Sequence, residues 1–171
     1  MSHPEALDST HPAGSEPGPG PGPGAAPGVR GLPGVVVERR VEWSDTDAAG
    51  HHHFSAVLRW AEAAEAVLLR RLGLGELFGS IPRVHFEADY LARLWFGDLV
   101  RVELRVERVG SSSLHYGFAV HGPAGPAATG RMSVVNSAAT AKGSAPWPAE
   151  VRALLTDSGP QRPETLTGHD V

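Results

Sequence analysis

The clearest pattern in the chain is an alternation of apolar and charged residues over residues 101–108, which is strict as far as Glu107. In a strand, Val102, Leu104 and Val106 would face one side, and the intervening arginines and glutamates would face the other. The same kind of alternation, bounded by turn-forming residues, predicts four more strands, over residues 35–43, 83–90, 114–121 and 128–135. Because one face of each strand is apolar, we expect an antiparallel sheet of about five strands that is covered on one side.

One long segment, residues 56–74, has the three- to four-residue period of a helix instead. Its recurring apolar positions are Val57, Trp60, Ala61, Ala64, Val67, Leu68 and Leu72. Ser55 is the predicted N-cap, and Gly73 or Gly75 is the predicted stop. Because the helix is apolar over most of its girth, we expect the sheet to wrap around it. Residues 150–155 predict a short closing helix.

The two ends of the chain differ in composition from the middle. Residues 14–34 read GSEPGPGPGPGAAPGVRGLPG, and proline and glycine at this density cannot bury enough apolar surface to offset chain entropy. We therefore predict a disordered leader over residues 1–33, one folded domain over residues 34–157 and a flexible tail over residues 158–171. The leader has no apolar run after a basic start, so we do not interpret it as a secretory signal.

Composition excludes several classes of function. The chain has no cysteine, which excludes disulfides, thiolate metal ligands and a cysteine nucleophile, and which is typical of a cytoplasmic protein. The net charge of −4, without a long basic block, argues against a nucleic-acid partner. No apolar run approaches the length of a membrane span, so we predict no membrane partner. One sheet and one helix of this size leave strand edges uncovered, which predicts a homo-oligomer.

The densest group of reactive side chains lies in residues 43–54, which read WSDTDAAGHHHF. Asp45 and Asp47 follow a predicted strand, and three histidines precede the predicted helix. Carboxylates and imidazoles in such a turn can supply general acid–base chemistry. Either acid could instead cap the turn, and we expect this of Asp45. The three adjacent histidines point in different directions and fit a metal poorly, so we predict no metal and no cofactor.

This segment also carries a family resemblance. The DTDAAG sequence of residues 45–50, the histidine and aromatic residues after it, and RWAEAAE at residues 59–65 resemble the hot-dog-fold acyl-CoA thioesterases, most of all the 4-hydroxybenzoyl-CoA thioesterase family. RLWFGD at residues 93–98 is similar to the family's turn before its longest strand. The resemblance covers residues 36–155. It implies an α+β hot-dog fold, an antiparallel sheet of about five strands wrapped around one long helix.

The resemblance further implies hydrolysis of an acyl-CoA, or of an acyl group on a carrier protein, by a homodimer or homotetramer whose site lies between two subunits. Asp47 becomes the catalytic carboxylate, acting as nucleophile or general base, while an N–H at the start of the helix polarises the thioester carbonyl. His53 is the second predicted catalytic residue. The predicted substrate-binding residues are His52, Phe54, Ser55 and Ser80.

Several alternatives stay open at this point. Glu62 is a second possible base, because another branch of this fold carries its acid on the helix. Some relatives use basic residues in the hairpin at the position of residues 109–112 to hold the CoA phosphates. Here that turn is neutral, so Arg93, Arg108 or Arg131 would have to replace them. The same fold could also serve a dehydratase or a non-catalytic acyl-CoA-binding protein.

Overall fold

The computed structural model describes residues 31–137 and 143–167. Residues 1–30 of the predicted leader and residues 168–171 of the predicted tail lie outside the described part. The described residues form β1 (Gly34–Arg40), α1 (Phe54–Arg71), β2 (Arg83–Tyr90), β3 (Leu99–Val109), β4 (Ser113–Gly122), β5 (Gly125–Val135), α2 (Ala149–Asp157) and β6 (Glu164–Thr165). In this part of the chain, neither helix combines the length and apolarity that a bilayer crossing requires.

The strands form one sheet in the order β2-β5-β4-β3-β1-β6. All neighbours are antiparallel except β6, which pairs with β1 in parallel through Val37 and Glu38. The sheet is therefore mixed and six-stranded, not purely antiparallel with five strands, and two helices accompany it instead of one. The predicted closing helix is confirmed as α2.

The sixth strand comes from residues that we predicted to be a flexible tail. After α2 the chain returns along the open edge of β1, where the N–H groups of Gln161 and Leu166 donate to the carbonyls of Gly34 and Glu38 at 2.7 and 2.8 Å. Residues 158–167 thus belong to the folded part of the chain. The polar sequence of this segment gave no alternation to reveal it, because it joins the sheet mainly through its backbone.

The core lies between α1 and the inner face of the sheet. Val102, Leu104 and Val106 of β3 are buried, as their alternation predicted, and so is the apolar side of α1. Val151 and Leu155 lie one turn apart on α2 and are also buried. Each such side chain contributes roughly 1.5–3 kcal/mol when it leaves water. This layered core fixes α1 on the sheet.

Both ends of α1 lie two or three residues earlier than predicted, at Phe54 and Arg71 instead of residues 56 and 74. The helix begins at Phe54, two residues early, because the Nδ1 atom of His53 accepts the Ser55 N–H and makes His53 the N-cap in place of Ser55. It ends at Arg71, and Gly73 follows with φ 73°, which confirms the predicted glycine stop. Trp43, the last residue of the strand predicted over residues 35–43, is 77% exposed because the strand ends at Arg40.

Two connections pack against each other and create the surroundings of the site. The β1–α1 connection spans residues 41–53, and the β2–β3 connection spans residues 91–98. The Val41 N–H donates to the Asp98 carbonyl at 2.8 Å, and the His52 N–H donates to the Leu94 carbonyl at 2.8 Å. These bonds place the acid- and histidine-rich segment beside a loop that lies about forty residues later in the sequence.

Candidate active site

A cleft of about 450 Å³ opens where α1 begins. One wall comes from the β1–α1 connection and the first helical residue, and the other comes from the end of β2 and the loop after it. The residues that line it are Asp47, His51, His52, His53, Phe54, Tyr90, Leu91, Ala92 and Arg93. The structure therefore brings together four of the predicted site residues, Asp47, His52, His53 and Phe54.

Asp47 uses only one of its carboxylate oxygens within the protein. Its Oδ1 accepts the Ala49 N–H at 2.8 Å, and its carbonyl accepts the Gly50 N–H at 2.9 Å. Gly50 closes this turn with φ 79°, a conformation that favours glycine. The other oxygen, Oδ2, lies 3.9 Å from His51 Nδ1 and makes no hydrogen bond within the described residues. Asp47 thus holds the turn and still presents one oxygen to the cleft.

Asp45, two residues earlier, is fully engaged and buried. Its Oδ1 accepts from Arg59 Nη2 at 3.0 Å, and its Oδ2 accepts the Glu42 N–H at 3.1 Å. Arg39 Nη2 lies 3.6 Å from Oδ2, and its guanidinium also stacks over the Trp60 ring. This arrangement fits the role of structural turn acid, because no oxygen of Asp45 remains open to a substrate.

His51 and His53 each commit one ring nitrogen to the backbone or to a side chain of the same connection. His51 Nδ1 lies 3.1 Å from the His52 carbonyl, which accepts its proton. His53 Nδ1 accepts the Ser55 N–H at 3.3 Å and lies 2.8 Å from Ser55 Oγ. His53 was predicted to be catalytic, and the structure gives it a capping contact as well as a place in the cleft. Ser55 does not line the cleft; its Oγ accepts from Arg59.

His52 is the most enclosed of the three imidazoles, at 6% exposure. Its Nδ1 accepts the Leu94 N–H at 3.1 Å. Its ring lies between Trp60 and Tyr90, with centroid distances of 5.8 and 6.1 Å. Burial lowers the pKa of His52, and the neighbouring His51 lowers it further; together they outweigh the opposite effects of the Leu94 backbone contact and of the two aspartates.

The start of α1 leaves one backbone donor open. The Ser55 N–H is bound by His53 Nδ1, and the Ala56 N–H donates to the His53 carbonyl at 2.9 Å. The Phe54 N–H has no acceptor in residues 31–137 or 143–167, as expected for the first residue of a helix. The Tyr90 hydroxyl donates to the Phe54 carbonyl at 2.7 Å and holds the two walls together.

The structure does not place Glu62 or Ser80 in the cleft. Arg83 donates to Glu62 Oε1 from Nε and Nη2 at 3.3 and 3.1 Å, and it also binds the buried Glu65 at 2.9 Å. Burial raises the pKa of Glu65, and the Arg83 charge opposes that shift. Glu62 is therefore part of an ion pair and not an open base. Ser80 follows the 3-10 turn at Gly75–Leu77, where its Oγ donates to the Leu77 carbonyl.

The second wall of the cleft was largely missed by sequence reasoning. Of the three arginines considered for CoA phosphates, only Arg93 lines the cleft. Arg108 contacts His115, and Arg131 pairs with Glu107 on the opposite face of the sheet. The RLWFGD sequence was the available signal for Arg93, but nothing in the sequence showed that Tyr90 and Leu91 reach the acidic turn. No group of three or more potential metal-binding side chains occurs in the part of the chain described.

Comparisons with known proteins identify the family of this chain. Residues 41–155 match the family described as the thioesterase-like superfamily. The chain is 38% identical over 92 residues to a 1,4-dihydroxy-2-naphthoyl-CoA hydrolase of Synechococcus sp. (strain CC9605), covering 47% of this chain and 62% of the relative. The chain thus spans about six tenths of the length of that curated relative.

Solved structures share the architecture. A thioesterase from Thermus thermophilus, solved in complex with coenzyme A and Zn, superposes with a TM-score of 0.64 at 28% identity, over 70% of this chain and 90% of that one. A 1,4-dihydroxy-2-naphthoyl-CoA thioesterase from Synechocystis gives a TM-score of 0.66 at 22% identity, over 71% and 95% of the two chains, and shows the fold alone. With the match over residues 41–155, these findings show that the chain belongs to the thioesterase-like superfamily and has its hot-dog fold.

Proposed function

We propose that this protein hydrolyses an acyl-CoA thioester, with Asp47 as the nucleophile or general base and the Phe54 N–H as the oxyanion donor. The observation that carries the proposal is that one cleft contains an unbound carboxylate oxygen and an unbound helix N-terminal N–H among the described residues. A carboxylate can activate water or add to a thioester, and an open N–H stabilises the charge that then develops on oxygen. The cysteine-free composition supports a cytoplasmic location for this reaction.

The two oxygens of Asp47 give the reaction a defined geometry. Oδ1 stays bound to the Ala49 N–H, so the carboxylate keeps its orientation while Oδ2 acts. As a base, Oδ2 takes a proton from the water that attacks the carbonyl carbon. As a nucleophile, it forms an acyl anhydride that water then opens. In both routes the carbon–sulfur bond breaks and CoA leaves as the thiolate. The thiolate takes up the proton that Asp47 holds in the base route, or a proton from solvent in the nucleophile route, and the Asp47 carboxylate is regenerated.

The walls of the cleft favour an aromatic acyl group. They present the rings of His52, His53, Phe54 and Tyr90, together with the apolar side chain of Leu91. Planar acyl groups pack well against such rings. The hydrolase name of the Synechococcus relative supports 1,4-dihydroxy-2-naphthoyl-CoA as one candidate substrate. 4-Hydroxybenzoyl-CoA, from the resemblance noted above, is a second. Arg93 is the cation placed to meet an anionic part of the carrier.

A second copy of the chain would complete the site. β2 is an edge strand that pairs only with β5 in the described structure, and Val84 on it is 59% exposed. Tyr90, at the end of the same strand, and Leu91 after it line the cleft. A partner that pairs along β2 would therefore also cover the cleft and exclude water from the oxyanion contact. Sedimentation should show a dimer or tetramer at micromolar concentration, and a monomer with full specific activity would contradict this assembly.

A panel of thioesters tests the proposal directly. Free-thiol release should be fastest with benzoyl-CoA, 4-hydroxybenzoyl-CoA or 1,4-dihydroxy-2-naphthoyl-CoA and slower with hexanoyl-CoA. The rates of hydrolysis of one acyl group, attached either to CoA or to an acyl-carrier protein, show which of the two carriers the protein prefers. Absence of thiol release with every substrate, despite measurable binding, would favour the non-catalytic acyl-CoA-binding alternative.

A dehydratase remains the second candidate because one observation favours it. His51 Nδ1 lies 3.9 Å from Asp47 Oδ2, and an imidazole beside a carboxylate is the pair that water elimination needs. A 3-hydroxyacyl-CoA substrate separates the two reactions. Dehydration gives an enoyl-CoA that absorbs in the ultraviolet without releasing a thiol, whereas hydrolysis releases the thiol.

A further inference from the structure

The hydrogen bond from Leu94 fixes which nitrogen of His52 carries a proton. A backbone N–H can only donate, so Nδ1, which lies 3.1 Å from the Leu94 nitrogen, must present its lone pair. The proton of the neutral imidazole is therefore on Nε2. Protonation of the second nitrogen would place a hydrogen against the Leu94 N–H. Burial lowers the pKa of His52, which acts in the same direction.

The His52 ring is also held in one orientation. Trp60 and Tyr90 lie on either side of it, and the backbone N–H and carbonyl of His52 are both bonded, to the Leu94 carbonyl and to His51 Nδ1 respectively. The ring cannot turn without breaking the Leu94 contact. A donor that is fixed before substrate binds needs no reorganisation during the reaction, which is the condition for strong oxyanion stabilisation.

The open nitrogen of this ring belongs to the same cleft as the groups proposed to react. Nε2 has no hydrogen-bond partner among the described residues, and His52 lines the cleft beside Asp47 and Phe54. The Tyr90 hydroxyl does not compete for a ligand there, because it is bound to the Phe54 carbonyl.

We propose that His52 is a further catalytic residue, whose neutral Nε2–H donates to the thioester carbonyl oxygen together with the Phe54 N–H. This assignment rests on the thioesterase function proposed above. A neutral donor stabilises the oxyanion without forming an ion pair with Asp47, so the carboxylate keeps its basicity. The two donors and the carboxylate would then approach the carbonyl group from one cleft wall.

Two substitutions of His52 distinguish its proposed role as a donor in the cleft from its role as the acceptor of the Leu94 N–H. In His52→Asn, the amide oxygen takes the place of Nδ1 and keeps the Leu94 contact, but no donor reaches the cleft. In His52→Gln, the amide nitrogen reaches the position of Nε2, while the acceptor for Leu94 is lost. With benzoyl-CoA, we expect His52→Asn to lose ~10²-fold in kcat with little change in KM, and His52→Gln to retain more kcat than His52→Asn. The opposite order, or an equal loss in both, would overturn the proposal.

NMR of the histidine side chains in the wild-type protein gives a second test. It needs neither catalytic turnover nor a substituted protein that might fail to fold. The probe is phenacyl-CoA, a ketone that keeps a carbonyl but has no thioester bond to hydrolyse. At about pH 7.5, above the ordinary imidazole pKa, we expect the Nε2–H form of His52, and a shift of that proton on saturation with phenacyl-CoA but not with CoA. An Nδ1–H form, or no shift, would overturn the proposal. A shift in a protein that hydrolyses no thioester would refute the proposed function and leave the donor assignment in place.

Discussion

The polar groups at the two ends of α1 differ in whether they have partners within the protein. At the N-terminal end, Asp47 Oδ2 and the Phe54 N–H have no hydrogen-bond partner in the described structure, and both line a cleft. At the C-terminal end, Arg71 donates to Glu164 from Nε and Nη2 at 3.1 and 2.7 Å, and Arg70 binds the same carboxylate. Polar groups left open beside a cleft are available to a ligand, whereas paired groups fix the fold.

The same contrast occurs within the N-terminal end, between two aspartates that are two residues apart. Asp45 is 3% exposed and bound by Arg59 and the Glu42 N–H, so its charge is neutralised inside the protein. Asp47 is about one-third exposed and binds only the Ala49 N–H through one oxygen. One residue type therefore serves stability at one position and is proposed to serve catalysis at the other.

The largest effect is expected from Asp47→Asn. Asparagine keeps an oxygen for the Ala49 N–H, so the turn should fold, but a neutral NH2 group replaces the oxygen that faces the cleft. We expect kcat for thioester hydrolysis to fall by ~10²-fold or more, the scale of a lost acid–base group, with little change in melting temperature. A folded Asp47→Asn protein with near-normal kcat would refute the proposed role of Asp47.

Asp45→Asn should have the opposite effect and is the matched control. It leaves Arg39, whose side chain is 10% exposed, without its counter-charge, and weakens the bond to Arg59. Removal of one partner from a buried ion pair costs about 3 kcal/mol in the free energy of unfolding. Urea denaturation measures this loss. If Asp45→Asn instead lowered kcat as much as Asp47→Asn without loss of stability, the assignment of the two acids would have to be exchanged.

A smaller effect is expected at the C-terminal end, from Glu164→Gln. Burial alone would raise the pKa of Glu164, but the bonds from Arg71 and Arg70 outweigh it and lower the pKa below its usual value. The pairing therefore stabilises the fold above the unfolded-state pKa of about 4.3, and this contribution is lost as pH falls through the folded-state pKa. At pH 7 we expect Glu164→Gln to lose up to about 1 kcal/mol of unfolding free energy.

Urea denaturation of both proteins at neutral pH and near pH 3 checks the sign of this effect. The difference between wild type and Glu164→Gln should be largest at neutral pH and should become smaller in acid, as Glu164 takes up a proton. The kcat at pH 7 should be unchanged, because Glu164 lies at the far end of α1 from the cleft. A stability difference that grows in acid would contradict the ion-pair account.

The smallest effect, no change at all, is expected from metal removal. The Nδ1 atoms of His51, His52 and His53 are engaged with the His52 carbonyl, the Leu94 N–H and the Ser55 N–H. Prolonged chelation should therefore leave thioesterase activity intact. Activity that is lost to a chelator and restored by zinc would assign these imidazoles to a metal instead.

Local pattern was enough to predict most of the sheet and the long helix. The alternation of Val102, Leu104 and Val106 gave the core face of β3, and the three- to four-residue period around Trp60 and Leu68 gave the buried face of α1. These signals are strong because burial acts on every second or every fourth side chain of a regular element. The acidic turn at residues 45–50 was also located from local sequence, because it lies between a predicted strand and the predicted long helix.

Features that depend on distant contacts were not accessible from the sequence. Glu164 and Thr165 join the sheet because Arg70 and Arg71 hold the segment beside β1, a contact across more than ninety residues. Tyr90 and Arg93 enter the cleft because two loops pack together. Ser55 was predicted as the N-cap because serine is common at that position. In the structure His53 is the N-cap, and its ring accepts the Ser55 N–H.

The returning segment after α2 also determines how such a molecule can associate. Residues 159–166 run beside the chain from Gly31 to Glu38 and cover the free side of β1, while β2, at the opposite edge, has a neighbouring strand on one side only in the described structure. A sheet with two open edges can add copies at both sides and grow into a filament. β6 becomes the edge strand on that side, but its two residues offer few backbone groups to a further strand, whereas β2 has eight residues. A pair formed along β2 would therefore close after two subunits related by a twofold axis.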